Sequence, residues 1–272
     1  MLEQTILSMT LAGLALLSTA AHADQLADIK QKGTLVCGTL GTAEPFSFSN
    51  PQTREVQGYD VDFCAAIAKS LNVKLELKLI STAARIPELQ QARVDVIAAN
   101  LGWTPERATQ IAFSNSYYVS LQKAAARQAD KLKTPADLSG KRVAAAQGTT
   151  SEAGARKYIP NVTTVTFQDP PAIYLALQQG KVDGVVVSEL VLVKWKKDSA
   201  ATSPIDILEP ALFSEPWGIG MRKDEAALIK HVNGVLDAME KSGEATKTFD
   251  KWLGKGTTYD LKRDFSITPI KG

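Results

Sequence analysis

A nine-residue segment occurs twice in this chain, as LQQARVDVI at Leu89–Ile97 and as LQQGKVDGV at Leu177–Val185, 88 positions further on. Five positions are identical and three exchange like for like, Ala for Gly, Arg for Lys and Ile for Val. Each copy reads as the end of a helix, a tight turn and an apolar strand opening after Asp95 or Asp183. A unit used twice at this distance points to two similar α/β lobes rather than one continuous sheet. Two lobes make a cleft, and clefts between lobes are where small ligands bind.

The first 23 residues read as a secretory leader. Ile6–Leu17 is an apolar run too short to span a bilayer, and it ends in Ala21-His22-Ala23, with cleavage expected before Asp24. Met1 to Thr5 carries no Lys or Arg, which departs from the usual leader. No other stretch reaches transmembrane length, so the mature chain is expected to be soluble and periplasmic.

The formal charge of the 272 residues is +2, and losing Glu3 with the leader adds one unit. So mild a balance, with both signs interspersed, gives no reason to expect nucleic acid or an anionic membrane as partner. The two cysteines are Cys37, in a predicted first strand, and Cys64, on a predicted first helix. An oxidising compartment favours a bridge between them, while two buried thiols are the alternative; the spacing between their Cα atoms decides. Metal-ligand spacing is absent, and no cofactor is implied.

Strands are expected over 34–38, 74–80 and 95–99, with helices over 60–71, capped by Asp60, and 86–91. A second series follows, with strands over 142–146, 162–167 and 182–187 and helices over 151–158, 171–179 and 189–197. Pro204, Pro210 and Pro216 suggest irregular chain there. A strand over 217–222 then leads to a helix capped by Asp224 and to a last helix ending near Gly254. Chain crossings fall near 119–123 and 213–216, so the first lobe is read as 24–118 with 216–272 and the second as 119–215. Two crossing strands make a hinge.

Two helix starts carry the chemistry. In Asn100-Leu101-Gly102-Trp103-Thr104-Pro105-Glu106-Arg107, Thr104 suits the N-cap, Pro105 suits N1, and Arg107 falls in the first turn. A positive helix end with a guanidinium suits a small anion, although a surface ion pair accounts for Arg107 alone equally well. In Gln147-Gly148-Thr149-Thr150-Ser151-Glu152, a glycine turn and a Thr149…Glu152 capping box mark a second helix start at a strand's carboxyl end. One such start per lobe can hold one carboxylate between them. Trp195 and Trp252 are expected in the core, and His231 at the surface.

The runs EPFSF, GYDVDFCAAIAKSL, VDVIAANLGWTPERATQIAFSNSYY, DLSGKRVAAAQGTTSE and WGIGMRKD, in that order across the mature chain, resemble the periplasmic solute-binding proteins of polar amino-acid ABC transporters. The resemblance implies a type II periplasmic-binding-protein fold. That fold has two hinge-closing lobes, each a mixed sheet flanked by helices, joined by two crossover strands. It further implies a monomer that captures an amino acid or related carboxylate and delivers it to an inner-membrane ABC permease. In such proteins the residues matching Arg107 and Thr150 hold the ligand α-carboxylate, and those matching Asn100 and Gly102, flanking Leu101, bind beside them. Two departures stand out. Ser188 occupies the place of an aspartate that pairs with the α-ammonium, and Ala43 replaces a covering aromatic, leaving Phe46 and Trp103 as apolar walls. Arg85 matches an arginine that meets the side chain of acidic ligands in some relatives, pointing to an acidic or amide ligand; a solvent-facing arginine is the other reading. A second resemblance is to periplasmic cyclohexadienyl dehydratases on the same scaffold, with Glu152 or Glu189 as candidate acid.

Overall fold

A computed structural model describes residues 24–271, so the leader lies outside the described residues. The first half runs α1 (Gln25–Lys32), β1 (Thr34–Thr39), β2 (Thr42–Ala43), β3 (Ser47–Ser49), β4 (Val56–Gln57), α2 (Tyr59–Leu71), β5 (Lys74–Leu79), α3 (Arg85–Gln90), β6 (Val96–Ile97) and α4 (Pro105–Gln110). The long strand β7 (Ala112–Arg127) leaves it. Then follow β8 (Arg142–Ala146), α5 (Thr150–Tyr158), β9 (Thr163–Phe167), α6 (Pro170–Gln178), β10 (Gly184–Ser188), α7 (Glu189–Ser199) and β11 (Ile205–Ile207). Strand β12 (Phe213–Met221) returns to α8 (Ala226–Ser242) and α9 (Glu244–Leu253).

The two halves repeat one arrangement. Strands β5, β1 and β6 are parallel and β12 runs against β6; β9, β8 and β10 are parallel and β7 runs against β10. The expectation of two separate sheets is corrected, because the two crossing strands pair with each other. Phe213 to Trp217 of β12 lie opposite Gln122 to Tyr118 of β7, which joins eight strands in one hydrogen-bonded path, with β11 pairing β7 beside it. A short three-stranded sheet, β2-β3-β4, stands apart.

Packing is divided even though the sheet is continuous. One set of buried side chains draws on Ile29 to Tyr118 and Trp217 to Ile267, joined by Leu190. Another lies within Ala124 to Leu208. Helix α8 shows how the sequence builds this: Leu228, Val232, Leu236 and Met239 fall on one stripe and are buried. Strand β10 reads GVVVS and is buried throughout, as a strand covered on both faces should be. Trp195 is buried in the second core and Trp252 packs on the first.

The repeated segments perform the same task in each half. Asp95 N donates to Val36 O, and its carboxylate accepts from Val36 N and Lys32. Asp183 N donates to Arg142 O, and its carboxylate accepts from Arg142 N and the Arg142 guanidinium. Each aspartate therefore fastens the incoming strand to the first strand of its half. The preceding turn needs a left-handed residue, Gly180 at φ 68° and Ala92 at φ 54°.

Cys37 and Cys64 are bridged, with Cα atoms 6.2 Å apart. Cross-linking a span of 27 residues contributes about 3.5 kcal/mol in the chain-entropy account. Three expectations need correction. Asp60 does not cap α2, because the helix already begins at Tyr59 with Gly58 as its N-cap and the Asp60 carboxylate accepts from Tyr117 and Asn100 instead. Asp224 does not cap α8, whose N-cap is Glu225. The proline-rich stretch is not wholly irregular, since Ile205 and Ile207 pair with β7 and β12 begins at Phe213.

Candidate functional site

Where the halves face each other lies a cavity of about 60 Å³. Its lining includes Leu40, Ala43, Thr82, Arg85 and Asn100 from the first half. The second half supplies Thr149, Thr150, Ser151, Val187 and Ser188, and the crossing strands supply Gln122, Glu215 and Trp217. A larger hollow between α2, α8 and α9 is an open surface groove that shares no lining residue with this cavity.

The expected helix starts form as the sequence suggests locally. Thr104 Oγ1 accepts from Arg107 N at 3.1 Å, with Pro105 in the first turn of α4. Thr149 Oγ1 accepts from Glu152 N at 3.1 Å, and Glu152 Oε2 accepts from Gly148 N at 2.9 Å. Arg107 then reaches across the gap. Its Nη1 donates to Gly102 O at 2.6 Å and its Nη2 to Gly148 O at 2.9 Å. A single guanidinium therefore ties the two helix starts together. Burial lowers the Arg107 pKa, and the nearby Glu215 works against that shift.

Arg107 latches the halves beside the cavity, whereas Arg85 lines it. Arg85 is only 3 % exposed, which rules out the solvent-facing reading. Its Nε donates to Thr82 O, and its Nη1 donates to Ala99 O and Asn100 O. Nη2 has no protein acceptor among the described residues. Burial, with Arg107 close by, pushes the Arg85 pKa down to about 9. Asp60 sits behind it, accepting from Tyr117 Oη at 2.7 Å and from Asn100 N at 3.0 Å. Burial nonetheless raises the Asp60 pKa to about 6.

Among the remaining residues singled out from sequence, Asn100, Thr149, Thr150 and Ser188 line the cavity. Gly102 contributes its carbonyl to Arg107, and Leu101 is fully buried in the core beside Ile97 and Ile111. The anticipated walls lie elsewhere. Phe46 is fully buried against Tyr59, Tyr118 and Trp217. Trp103 faces a separate surface hollow with Phe113 and Ile270, because its backbone N–H is held by Pro216 O. Trp217 is the aromatic at the cavity. Glu189, an acid candidate, pairs with Lys123 at 2.7 Å.

Sequence reasoning missed Glu215 and Gln122. Glu215 Oε1 accepts from Trp217 Nε1 at 2.8 Å, Thr150 Oγ1 at 3.0 Å and Gln122 Nε2 at 3.0 Å. Gln122 Oε1 in turn accepts from Ser151 Oγ at 2.6 Å. This network runs from the crossing strands into the start of α5. Burial raises the Glu215 pKa, opposed first by the Trp217 and Thr150 hydrogen bonds and then by Arg107 and Arg85. The available signal was its position: a carboxylate on a crossing strand, in Ser214-Glu215-Pro216-Trp217, faces whatever the two halves enclose.

The geometry is that of a closed cleft with polar groups converging from both sides. Known proteins of similar sequence and shape agree with it. The L-cystine-binding protein TcyJ of Escherichia coli strain K12 is 31 % identical over 257 residues, covering 92 % of this chain and 94 % of its own. An ancestral arginine-binding protein bound to arginine superposes with a TM-score of 0.77 at 34 % identity, covering 82 % of this chain and 99 % of its own. An ancestral amino acid-binding protein described as a precursor of cyclohexadienyl dehydratase gives 0.78 at 31 % identity, covering 85 % and 100 %. The family model for bacterial extracellular solute-binding proteins, family 3, matches residues 35–255, and the chain belongs to that family.

Proposed function

We propose that this protein captures a polar amino acid, or a closely related carboxylate, between its lobes and delivers it to the permease of an ABC importer. The observation that carries this reading is the cavity between the lobes. Arg85 and Asn100 from one side meet Thr149, Thr150 and Ser188 from the other, so a small zwitterion would bond to both lobes at once. A ligand that touches both lobes favours the closed state by its differential affinity for it.

In this reading residues 24–118 with 216–272 move as one lobe and 119–215 as the other, with bending at the paired crossing segments. The protein works in the periplasm as a monomer, after loss of its leader, and has no enzymatic step. Glu152 and Glu189 are poorly suited to be the acid of a dehydratase. Glu152 accepts from Gly148 N and pairs with Arg156, while Glu189 pairs with Lys123. Neither lines the cavity.

A thermal-shift screen of amino acids and dicarboxylates tests the proposal. A true ligand at 100 times its Kd stabilises by about 2.7 kcal/mol. A screen with no shift, or turnover of prephenate to phenylpyruvate, contradicts it.

A further inference from the structure

Three donors converge on Glu215 Oε1, whereas Glu215 Oε2 is buried and has no partner. The residue as a whole is only 5 % exposed and lines the cavity. Water cannot compensate that oxygen as it would at the surface, so an unpartnered carboxylate oxygen here is costly unless a donor arrives. No lysine or arginine nitrogen lies within ion-pair distance of Glu215 among the described residues; Arg107 and Arg85 act on it only from further away. A second acceptor, Asn100 Oδ1, is also buried, unpartnered and on the same lining. Arg85 Nη2, also at the lining, has no protein acceptor among the described residues, while Nε and Nη1 are bonded. The cavity therefore offers two idle acceptors, one of them anionic, and one idle guanidinium nitrogen. A zwitterion complements that set.

Resting on the amino-acid reading above, we infer that Glu215 Oε2 receives the ligand's α-ammonium, making Glu215 the residue that selects for an amine. The anionic group that receives the ammonium then comes from the crossing strand β12, not from Ser188 at the end of β10. The three bonds to Oε1 hold the carboxylate in place before the ligand arrives. They are donated by Trp217 and Gln122 of the crossing strands and by Thr150 of α5.

Glu215→Gln tests this with little disturbance, since the amide oxygen can still accept the three bonds while an N–H₂ replaces the idle oxygen. The probes are the common L-amino acids and L-cystine. The tightest binder is then compared with its analogue lacking the α-amino group, by calorimetry on native and variant chains. Glu215→Gln is expected to weaken the amino acid by at least about tenfold and to change the des-amino analogue by less than about twofold. Equal binding of the amino acid by both chains overturns the role of Glu215 while leaving the binding function standing. An equal loss for both probes does the same, because it marks a purely structural role. Binding of none of the probes by the native chain overturns both proposals.

A second measurement needs no variant. Carbon NMR of the Glu215 carboxyl in the native chain follows its ionisation, with Arg107, Arg85 and, behind Arg85, Asp60 as the charges around it. Adding the amino-acid probe is expected to lower its apparent pKa. A rise means that Glu215 meets the ligand protonated, as a hydrogen-bond donor, and overturns the proposal.

Discussion

Glu215 stands directly over Gly102: a β-carbon at position 102 would lie 2.3 Å from Glu215 Oε2. The contact follows from backbone pairing. Gly102 bridges to Trp217, Trp103 N donates to Pro216 O and Gly218 N donates to Leu101 O. Those bonds lay β12 across the turn before α4 and leave no room there for a side chain. Gly102→Ala is expected to push the carboxylate off its three donors, with a loss of about 1–3 kcal/mol and weaker ligand binding. Chemical denaturation with and without ligand checks this, and unchanged values count against the contact.

Arg107 gives a different outcome from that of a residue touching only ligand. It is 9 % exposed and bonds to a carbonyl on each side of the cleft. Arg107→Ala should lower the stability of the ligand-free protein by about 1–3 kcal/mol as well as weaken binding. A ligand-free melting temperature equal to that of the native chain would show that the latch does not form without ligand.

The repeated turn offers a stabilising change. Ala92 occupies the left-handed position that Gly180 fills in the second copy. Ala92→Gly is expected to gain roughly 0.5–1 kcal/mol by relieving the strain of a β-carbon at positive φ, and Gly180→Ala to lose a comparable amount. Urea denaturation of both variants tests the pair together. A loss on Ala92→Gly contradicts the equivalence of the two turns.

Asp60 should give a pH dependence of unusual sign. Its folded pKa of about 6 lies above the ordinary 3.8, so the folded state holds its proton more tightly than the unfolded chain does. The stability it contributes is full below about 4 and is lost as pH rises through about 6, a change of roughly 2–3 kcal/mol. Carboxylates held low by partners, such as Asp183 with Arg142 and Glu240 with Arg263, run the other way. Comparing native chain and Asp60→Asn across pH 4 to 7 isolates the effect: the gap should move in favour of the variant as pH rises. A gap independent of pH contradicts it.

Local signals carried much of this architecture. The repeat exposed the two-fold reuse of helix, turn and strand, but not the bonds by which Asp95 and Asp183 fasten each strand, because their partners Val36 and Arg142 lie far back along the chain. Caps at Thr104 and Thr149 were legible because an N-cap acts within four residues. Side-chain direction was not. Phe46 turns into the core and Trp103 outward because of pairings with residues far along the chain. Glu215 was hidden for the same reason. It sits among prolines that break periodic patterns, and its place at the cavity depends on β12 lying opposite β7.

The most direct test is a crystal structure of the protein with the amino acid that gives the largest thermal shift. The account predicts ligand density between the lobes, with its ammonium at Glu215 Oε2 and its carboxylate within reach of Arg85 or Thr150. Density only outside the cavity lined by Arg85, Ser188 and Glu215 contradicts it.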